Sequence, residues 1–307
     1  MANRVSHLLW DAARCPSEAE SEGRMIRDTK QNGNTMEDVQ NRSDSRGIDI
    51  NQVGVSDLRY PIVILDRANE KQSTVARVSM SVSLPHDFKG THMSRFVEVL
   101  NEHRGDLTMW TLPNIVQKLR ERLDAESAHV EIHFVYFIEK EAPVSNARSL
   151  MDYEGTFIGR SSGEEDEFIL RVKIPVTSLC PCSKEISDYG AHNQRGEVEI
   201  EVKGEVDGKP EMIWIEEVVE IAEAAASAPV YALLKRPDER FVTMQAFENP
   251  AFVEDIVRGV AQRLKDDSRI VRFRVKATNY ESIHNHNAFA IVEWQSAGDD
   301  LRVVPKP

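Results

Sequence analysis

The spacing of the apolar residues switches between two and 3.6 positions from about residue 50 onward. In "RVSMSVSL" every second residue from Val78 to Leu84 is apolar, which predicts a half-buried strand. "THMSRFVEVL" then has helical spacing, with Thr91 as the candidate N-cap, and "NIVQKLRERL" predicts a second helix. "HVEIHFVYFIE" alternates as a strand again. The first half is therefore predicted to run strand, helix, helix, strand.

The second half repeats this order. "EFILRVKIPV" and "GEVEIEVKG" alternate as strands, and "WIEEVVEIAEAAAS" has the spacing of a helix that ends near Pro229. "ENPAFVEDIVRGVAQRL" predicts another helix, with Asn249 as N-cap and Pro250 at the first helical position. "RIVRFRVKA" and "AFAIVEW" predict the last two strands. Antiparallel strand pairs with two helices between them predict an α+β fold with the paired helices on one sheet face.

This repeated order predicts two tandem modules, residues 46–155 and 156–307. The boundary is placed in "EAPVSNARSLMDYEGTFIGRSSGEED", which has the composition of a loop. Residues 1–45 are polar and charged without a sustained hydrophobic period, so we expect a disordered leader. Met36 within this leader is a candidate translation start.

Charge and composition narrow the classes of function. The 307 residues contain 38 basic and 51 acidic side chains, a formal net charge of −13, which disfavours binding to nucleic acid or to an anionic membrane surface. A polyanionic substrate would need a local basic patch. The sequence contains no long apolar run typical of a membrane span or a signal peptide, and with three cysteines it offers no disulfide framework. We expect a cytoplasmic protein with reduced thiols.

The stretch "SLCPCSKEISDYGAHNQRG" lies between two predicted strands and contains Cys180, Cys182 and His192. A disulfide across a single residue would be strained, and a closed structural zinc site needs four protein ligands where this stretch offers three at most. Packed, unreactive thiols are the simplest alternative, but the surroundings are polar. A cysteine nucleophile and an open catalytic metal site, completed by a carboxylate from elsewhere, both stay open.

Two further polar clusters follow along the chain. In "TNYESIHNHNAFAIVEW" the alternating histidines can ligate a metal or transfer protons if the fold brings them beside Cys180, and otherwise are surface histidines. "LLKRPDERFVTMQAFENPAFVEDIVR" combines candidate phosphate contacts with carboxylates, although such charges usually lie in solvated loops or complement a helix dipole. The candidate residues of the two clusters are Lys235, Arg236, Glu239, Arg240, Glu254, Glu281, His284 and His286.

Taken together and in this order, the three clusters resemble the prokaryotic GTP cyclohydrolase family of type IB. "RGIDINQVGVSDLRYPI" and "LPHDFKGTHMSRF" belong to the same resemblance, which extends from about Met36 to the end of the chain. The resemblance implies a tunnelling fold with two modules per chain and a homotetramer with active sites at subunit interfaces. It implies hydrolysis of GTP to formate and 7,8-dihydroneopterin triphosphate, the first step of tetrahydrofolate biosynthesis.

The family also implies roles for individual residues. A divalent zinc, manganese or iron ion would be held by Cys180, His192 and Glu239, and no organic cofactor is needed. Glu254 resembles the glutamate that binds the guanine edge, and His284 would transfer protons. Cys182 and Glu281 would be catalytic neighbours. Cations available for the triphosphate are Lys89, His92, Arg95, Lys184, Arg195, Lys235 and Arg236, and the segment "KGTHMSR" would act from a neighbouring subunit.

Two alternatives have distinct chemistry. A nitrile reductase with the same fold would use a cysteine nucleophile and NADPH without a metal, whereas the histidine 12 positions after Cys180 favours the cyclohydrolase. A purine- or pterin-binding module without catalysis would use the same side chains to hold a structural ion.

Overall fold

The computed structural model describes residues 40, 42–103, 108, 110–163 and 166–296. Of the expected leader at residues 1–45, positions 1–39 and 41 lie outside the described residues. In the part of the chain that the structure describes, no helix is both long enough and apolar enough to cross a membrane.

The centre of the fold is one antiparallel sheet. Eight long strands of the described residues pair in the order β1–β2–β3–β4–β5–β6–β9–β10, and two short strands, β7 and β8, pair with β6 and β5. The strands are β1 (Ile50–Asp66), β2 (Glu70–Leu84), β3 (Ala128–Glu141), β4 (Arg148–Ser161), β5 (Asp166–Leu179), β6 (Asn193–Val206), β7 (Lys209–Pro210), β8 (Ala228–Pro229), β9 (Ile270–Asn279) and β10 (Ala288–Gln295).

Helices cover one face of this sheet. The helices of the described residues are α1 (Met93–Glu102), α2 (Leu112–Arg122), α3 (Pro181–Ile186), α4 (Ile215–Ala225), α5 (Arg236–Glu248) and α6 (Val253–Asp266). The apolar stripes of α1, α2, α4 and α6 pack with the inward residues of the strands into one continuous core. The predicted α+β fold, with an antiparallel sheet and paired helices on one face, is confirmed.

β4 differs from the prediction, since the sequence indicates a loop over these residues. Gly155 and Gly159 give it the composition of a loop, yet both lie on the covered face of the strand, where side chains would clash. A Cβ atom on Gly155 would lie 2.4 Å from the Phe134 ring, and one on Gly159 would lie 2.6 Å from Val116 of α2. The glycines therefore allow the core to approach the strand. The predicted module boundary at residue 155 lies inside β4, and the order of elements begins again after Ser161.

Helix starts also differ from the predictions. The N-cap of α1 is His92 rather than Thr91, which is buried. α6 begins at Val253 after Phe252, whereas Asn249, the predicted N-cap, is the C-cap of α5. α5 itself was not predicted, because its charges and apolar side chains show no clean helical stripe, and only Asp238 and Ala246 are buried in it.

The two ends of the sheet carry different clusters. The chain leaves β5 at Leu179, which pairs with Asn193 at the start of β6, and β9 reaches the same end at Asn279. β2 ends at Leu84 at the opposite end, beside the starts of β3 and β5. With a rise of about 3.3 Å per residue, a strand of this length separates the two ends by about 40 Å.

Candidate active site

Cys180 lies directly after the end of β5 and is the N-cap of α3. Its backbone N–H donates to the carbonyl oxygen of His192 at 3.1 Å, which closes the loop between β5 and β6. Its Sγ accepts the N–H of Ser183 at 3.4 Å. Cys180 and His192 therefore meet at one end of the sheet.

His192 connects this loop to the polar cluster after β9. Its Nδ1 lies 2.9 Å from Oε1 of Gln194 and 3.9 Å from a carboxylate oxygen of Glu281. The side chains of His192 and Glu281 are only 12% and 10% exposed. The ring of His284 lies edge-on to that of His192, with 6.3 Å between the ring centres, and stacks on His286 at 5.2 Å. Two clusters that are about 90 residues apart in sequence thus share one site.

A buried polar network holds these strand ends together. Asn279 donates from Nδ2 to Oγ of Ser178 at 2.9 Å, and Ser178 donates to the carbonyl oxygen of Ala251 at 3.1 Å. The N–H of Ala251 donates to the carbonyl oxygen of Leu179 at 3.1 Å. Because Ala251 comes just before α6, the network places the first turn of that helix, with exposed Glu254, next to the residue that precedes Cys180.

The third cluster forms the start of α5, where Asp238 is fully buried. Its carboxylate accepts the N–H groups of Val144, Ser145 and Lys235 and the hydroxyl of Ser145. Burial alone would raise the pKa of Asp238, but these hydrogen bonds outweigh it and hold the pKa well below its ordinary value. Asp238 thus ties α5 to the turn between β3 and β4.

Glu239, the predicted third metal ligand, follows Asp238 and is exposed. Within the described residues of one chain, no three Cys, His, Asp or Glu side chains are arranged to hold a metal ion. The carboxylate nearest to His192 among the described ion pairs is Glu281. The thiol, the imidazole and the carboxylates are donors that suit a divalent ion.

The remaining candidates have varied surroundings. Cys180 and Cys182 are both free thiols, and Cys182 is exposed. Lys184 donates from Nζ to the carbonyl oxygen of Phe247 at 2.6 Å and lies over the ring of that residue, so it ties α3 to α5. The candidate cations that are exposed in this part of the fold are Arg195, Lys235, Arg236 and Arg240.

"KGTHMSR" lies at the opposite end of the sheet from Cys180. Lys89 is exposed there, whereas Arg95 donates from its guanidinium to the carbonyl oxygen of Arg122. His92, the N-cap of α1, is partly buried. These three residues therefore do not join the site of their own chain.

Two residues that the motifs did not single out are Gln194 and Asp238. Gln194 shares the inward side of β6 with Gly196, Val198 and Ile200, so the alternation of that strand could have placed it inside. Asp238 follows Pro237 in the first turn of a helix, and a proline with an acidic residue there is a helix-start signal.

These observations define the class of protein: an α+β protein with a thiol, imidazoles and a carboxylate gathered at one end of an antiparallel sheet. The chain belongs to the family described as "Type I GTP cyclohydrolase folE2", whose model matches residues 36–290. The family resemblance drawn from the sequence motifs is therefore confirmed, and so is the prediction of an enzyme.

Individual relatives agree with this assignment. GTP cyclohydrolase FolE2 of Syntrophotalea carbinolica is 52% identical over 272 residues, which are 89% of this chain and 100% of that protein. GTP cyclohydrolase FolE2 of Geobacter metallireducens is 56% identical over 259 residues, 84% of this chain and 97% of that protein. Among solved structures, urate oxidase of Bacillus sp. TB-90 covers 80% of this chain and 100% of its own, at 9% identity and a TM-score of 0.49.

Proposed function

We propose that this chain hydrolyses GTP to formate and 7,8-dihydroneopterin triphosphate, the entry step of tetrahydrofolate biosynthesis, in the cytoplasm. The observation that carries the proposal is the pairing of Cys180 with His192, with Glu281 and His284 beside them. Membership in the GTP cyclohydrolase family supplies the substrate. No observation in the described residues favours a reductase or a binding module instead.

The proposal includes a divalent zinc, manganese or iron ion held by Cys180, His192 and Glu239. Thiolate, imidazole and carboxylate are suitable donors for such ions, and three protein ligands leave a position open. When bound, the ion would lower the pKa of a water molecule, and so supply a nucleophile for C8 of the guanine ring near neutral pH.

The chain's own side chains would bind the base and move protons. Glu254 is exposed in the first turn of α6, where its carboxylate can accept two parallel N–H bonds from the guanine edge. His284 would transfer protons during ring opening, since an imidazole can both donate and accept a proton. Glu281 and Cys182 would assist beside it. The edge-on approach of the His284 ring to the His192 ring, with 6.3 Å between the ring centres, supports this role.

A chain with a net charge of −13 must gather cations locally for the triphosphate. Arg195, Lys235 and Arg236 are exposed and can contribute from the same chain, while Lys184 is engaged by the carbonyl oxygen of Phe247. Lys89, His92 and Arg95 lie about 40 Å away across the sheet. We therefore propose that they act on a neighbouring subunit, in a homotetramer whose active sites lie at interfaces between the modules 46–155 and 156–307.

The direct test is incubation with GTP and Mn²⁺ or Zn²⁺, with detection of formate and of a fluorescent pterin after oxidation. Formate and pterin in equal amounts are expected. If no formate forms with any divalent metal, the proposal is wrong.

The Cys180→Ala variant distinguishes a catalytic metal ion from a purely structural one. We expect turnover to collapse while the folded oligomer survives, because the metal-binding thiolate is lost at a loop rather than in the core. Cys182→Ala should lose far less turnover, because that thiol is exposed. Loss of the folded oligomer together with activity in Cys180→Ala would favour a structural metal instead.

A further inference from the structure

Two polar side chains approach the same ring nitrogen of His192, Nδ1, at unequal distances. Nδ1 lies 2.9 Å from Oε1 of Gln194, within hydrogen-bond range, but 3.9 Å from the Glu281 carboxylate, which is beyond it. Gln194 is buried, at 8% exposure, on the inward side of β6, while its neighbours Asn193 and Arg195 are exposed. The hydrogen-bond partner of Nδ1 is therefore a buried neutral amide, and the Glu281 carboxylate is a more distant neighbour.

We infer that Gln194 is a positioning residue that holds the Nδ1–H of His192, so that Nε2 presents its lone pair to the metal ion. A neutral imidazole carries one hydrogen, and the nitrogen that keeps it is set by the hydrogen bond it makes. An amide oxygen can only accept, so it selects the tautomer with hydrogen on Nδ1. This inference rests on the proposed function, because it concerns the same metal-binding pair.

The choice of an amide has a consequence for Glu281. A carboxylate that accepted the hydrogen of Nδ1 would make the imidazole a more basic metal ligand. That carboxylate would then be occupied by the hydrogen bond. With Gln194 in that place, the Glu281 carboxylate makes no hydrogen bond to Nδ1 of His192, although it lies only 3.9 Å away, and it can take part in the reaction. In this arrangement Gln194 orients the imidazole of His192, and Glu281 takes part in the reaction.

The inference is tested by metal affinity measured without GTP, by competition with a chelator, in the full-length protein. Gln194→Leu keeps a similar volume but cannot accept a hydrogen bond, and should bind Zn²⁺ and Mn²⁺ about 10- to 100-fold more weakly. Gln194→Glu still accepts the same hydrogen and should stay within about threefold of the unmodified protein. At saturating metal, Gln194→Leu should recover most of its kcat, because it touches no reacting atom.

Gln262→Leu is the matched control, since Gln262 is exposed on α6 and, within the described part of the chain, its side chain bonds only its helix neighbour Asp266. It should leave metal affinity and turnover unchanged. If Gln194→Leu and the unmodified protein bind metal with equal affinity, the inference is wrong. If Gln194→Leu and Gln194→Glu lose metal affinity equally, the inference is also wrong, and Gln194 has a packing role. If the unmodified protein itself bound no divalent metal, the proposed metal site would fail instead.

Discussion

Ser145, in the turn between β3 and β4, donates its hydroxyl hydrogen to the carboxylate of Asp238 in the first turn of α5, with 2.6 Å between the oxygens. The backbone N–H groups of Val144 and Ser145 donate to the same carboxylate. One buried aspartate thus joins the first half of the chain to the helix that carries Glu239. The position of the proposed metal ligand therefore depends on a turn about 90 residues earlier in the sequence.

Ser145→Ala should loosen the start of α5. We expect metal affinity and kcat/KM to fall about tenfold, the order of effect of a hydrogen bond to a charged group. Metal competition and steady-state kinetics measure this. Ser73→Ala, at an exposed position of β2, is the control and should change neither. Unchanged metal affinity in Ser145→Ala would show that the turn does not position Glu239.

The same aspartate predicts a pH dependence of stability. Because the folded protein holds the pKa of Asp238 below its ordinary value of about 4, the carboxylate stabilises the fold above that pH. This stability is lost as the pH falls through the depressed folded-state pKa. In urea unfolding from about pH 3 to about pH 7, the deficit of Asp238→Asn should be largest near neutral pH and should shrink in acid.

Asp266→Asn, at an exposed carboxylate near the end of α6, is the control for this pH series. Its unfolding free energy should follow the unmodified protein at every pH. A deficit of Asp238→Asn that stays constant across the series would mean that the carboxylate charge does not stabilise the fold.

The stacked histidines should differ in their effect on turnover. His284 lies against both His192 and His286, whereas His286 stacks only on His284 among the described ring contacts. His284→Asn should lower kcat by about 10²- to 10⁴-fold, the usual contribution of a general acid or base. His286→Asn should cost much less, because it removes only a stacking partner. Single-turnover kinetics at equal metal content measure both, and the reverse order would reassign the proton carrier.

Mixed oligomers test whether "KGTHMSR" acts across subunits. Lys89→Glu reverses a charge that lies about 40 Å from Cys180 of its own chain, so each subunit carrying it should weaken a neighbour's site. If Lys89→Glu and Cys180→Ala subunits, each with reduced activity alone, are mixed in equal amounts and reassembled, about a quarter of the sites combine two unmodified residues. Recovery of about that fraction of activity is expected. No recovery would place both residues in one site of one chain.

Much of the fold could be predicted from the sequence because most elements bury one face. β2, β3, β5, β6, β9 and β10 alternate with period two, and α1, α2, α4 and α6 have apolar stripes, since each contacts the core on one side only. The hydrophobic pattern does not predict elements whose buried face lacks a regular set of apolar side chains. β4 carries glycines at two inward positions, and α5 buries only Asp238 and Ala246, which form no apolar stripe.

The candidate site, too, could be predicted only in part from the sequence. The Cys180 loop could be predicted as a polar segment between two strands, since its residues are close in sequence. Its closeness to Glu281 and His284 depends on β6 pairing with β9, which no local pattern encodes. The hydrogen bond from His192 to Gln194 depends on the burial of one strand position, and only the assembled sheet supplies that burial.

By itself, the sequence determined the alternation of strands and helices, the family motifs and the identity of the donor groups, because these are properties of neighbouring residues. Only the tertiary structure decided which groups meet. Cys180, His192 and Glu281 are joined through strand pairing at one end of the sheet, while Lys89 is carried to the other end. The physical reason is that an antiparallel strand of 14 residues brings distant segments together at one end and holds others about 40 Å away.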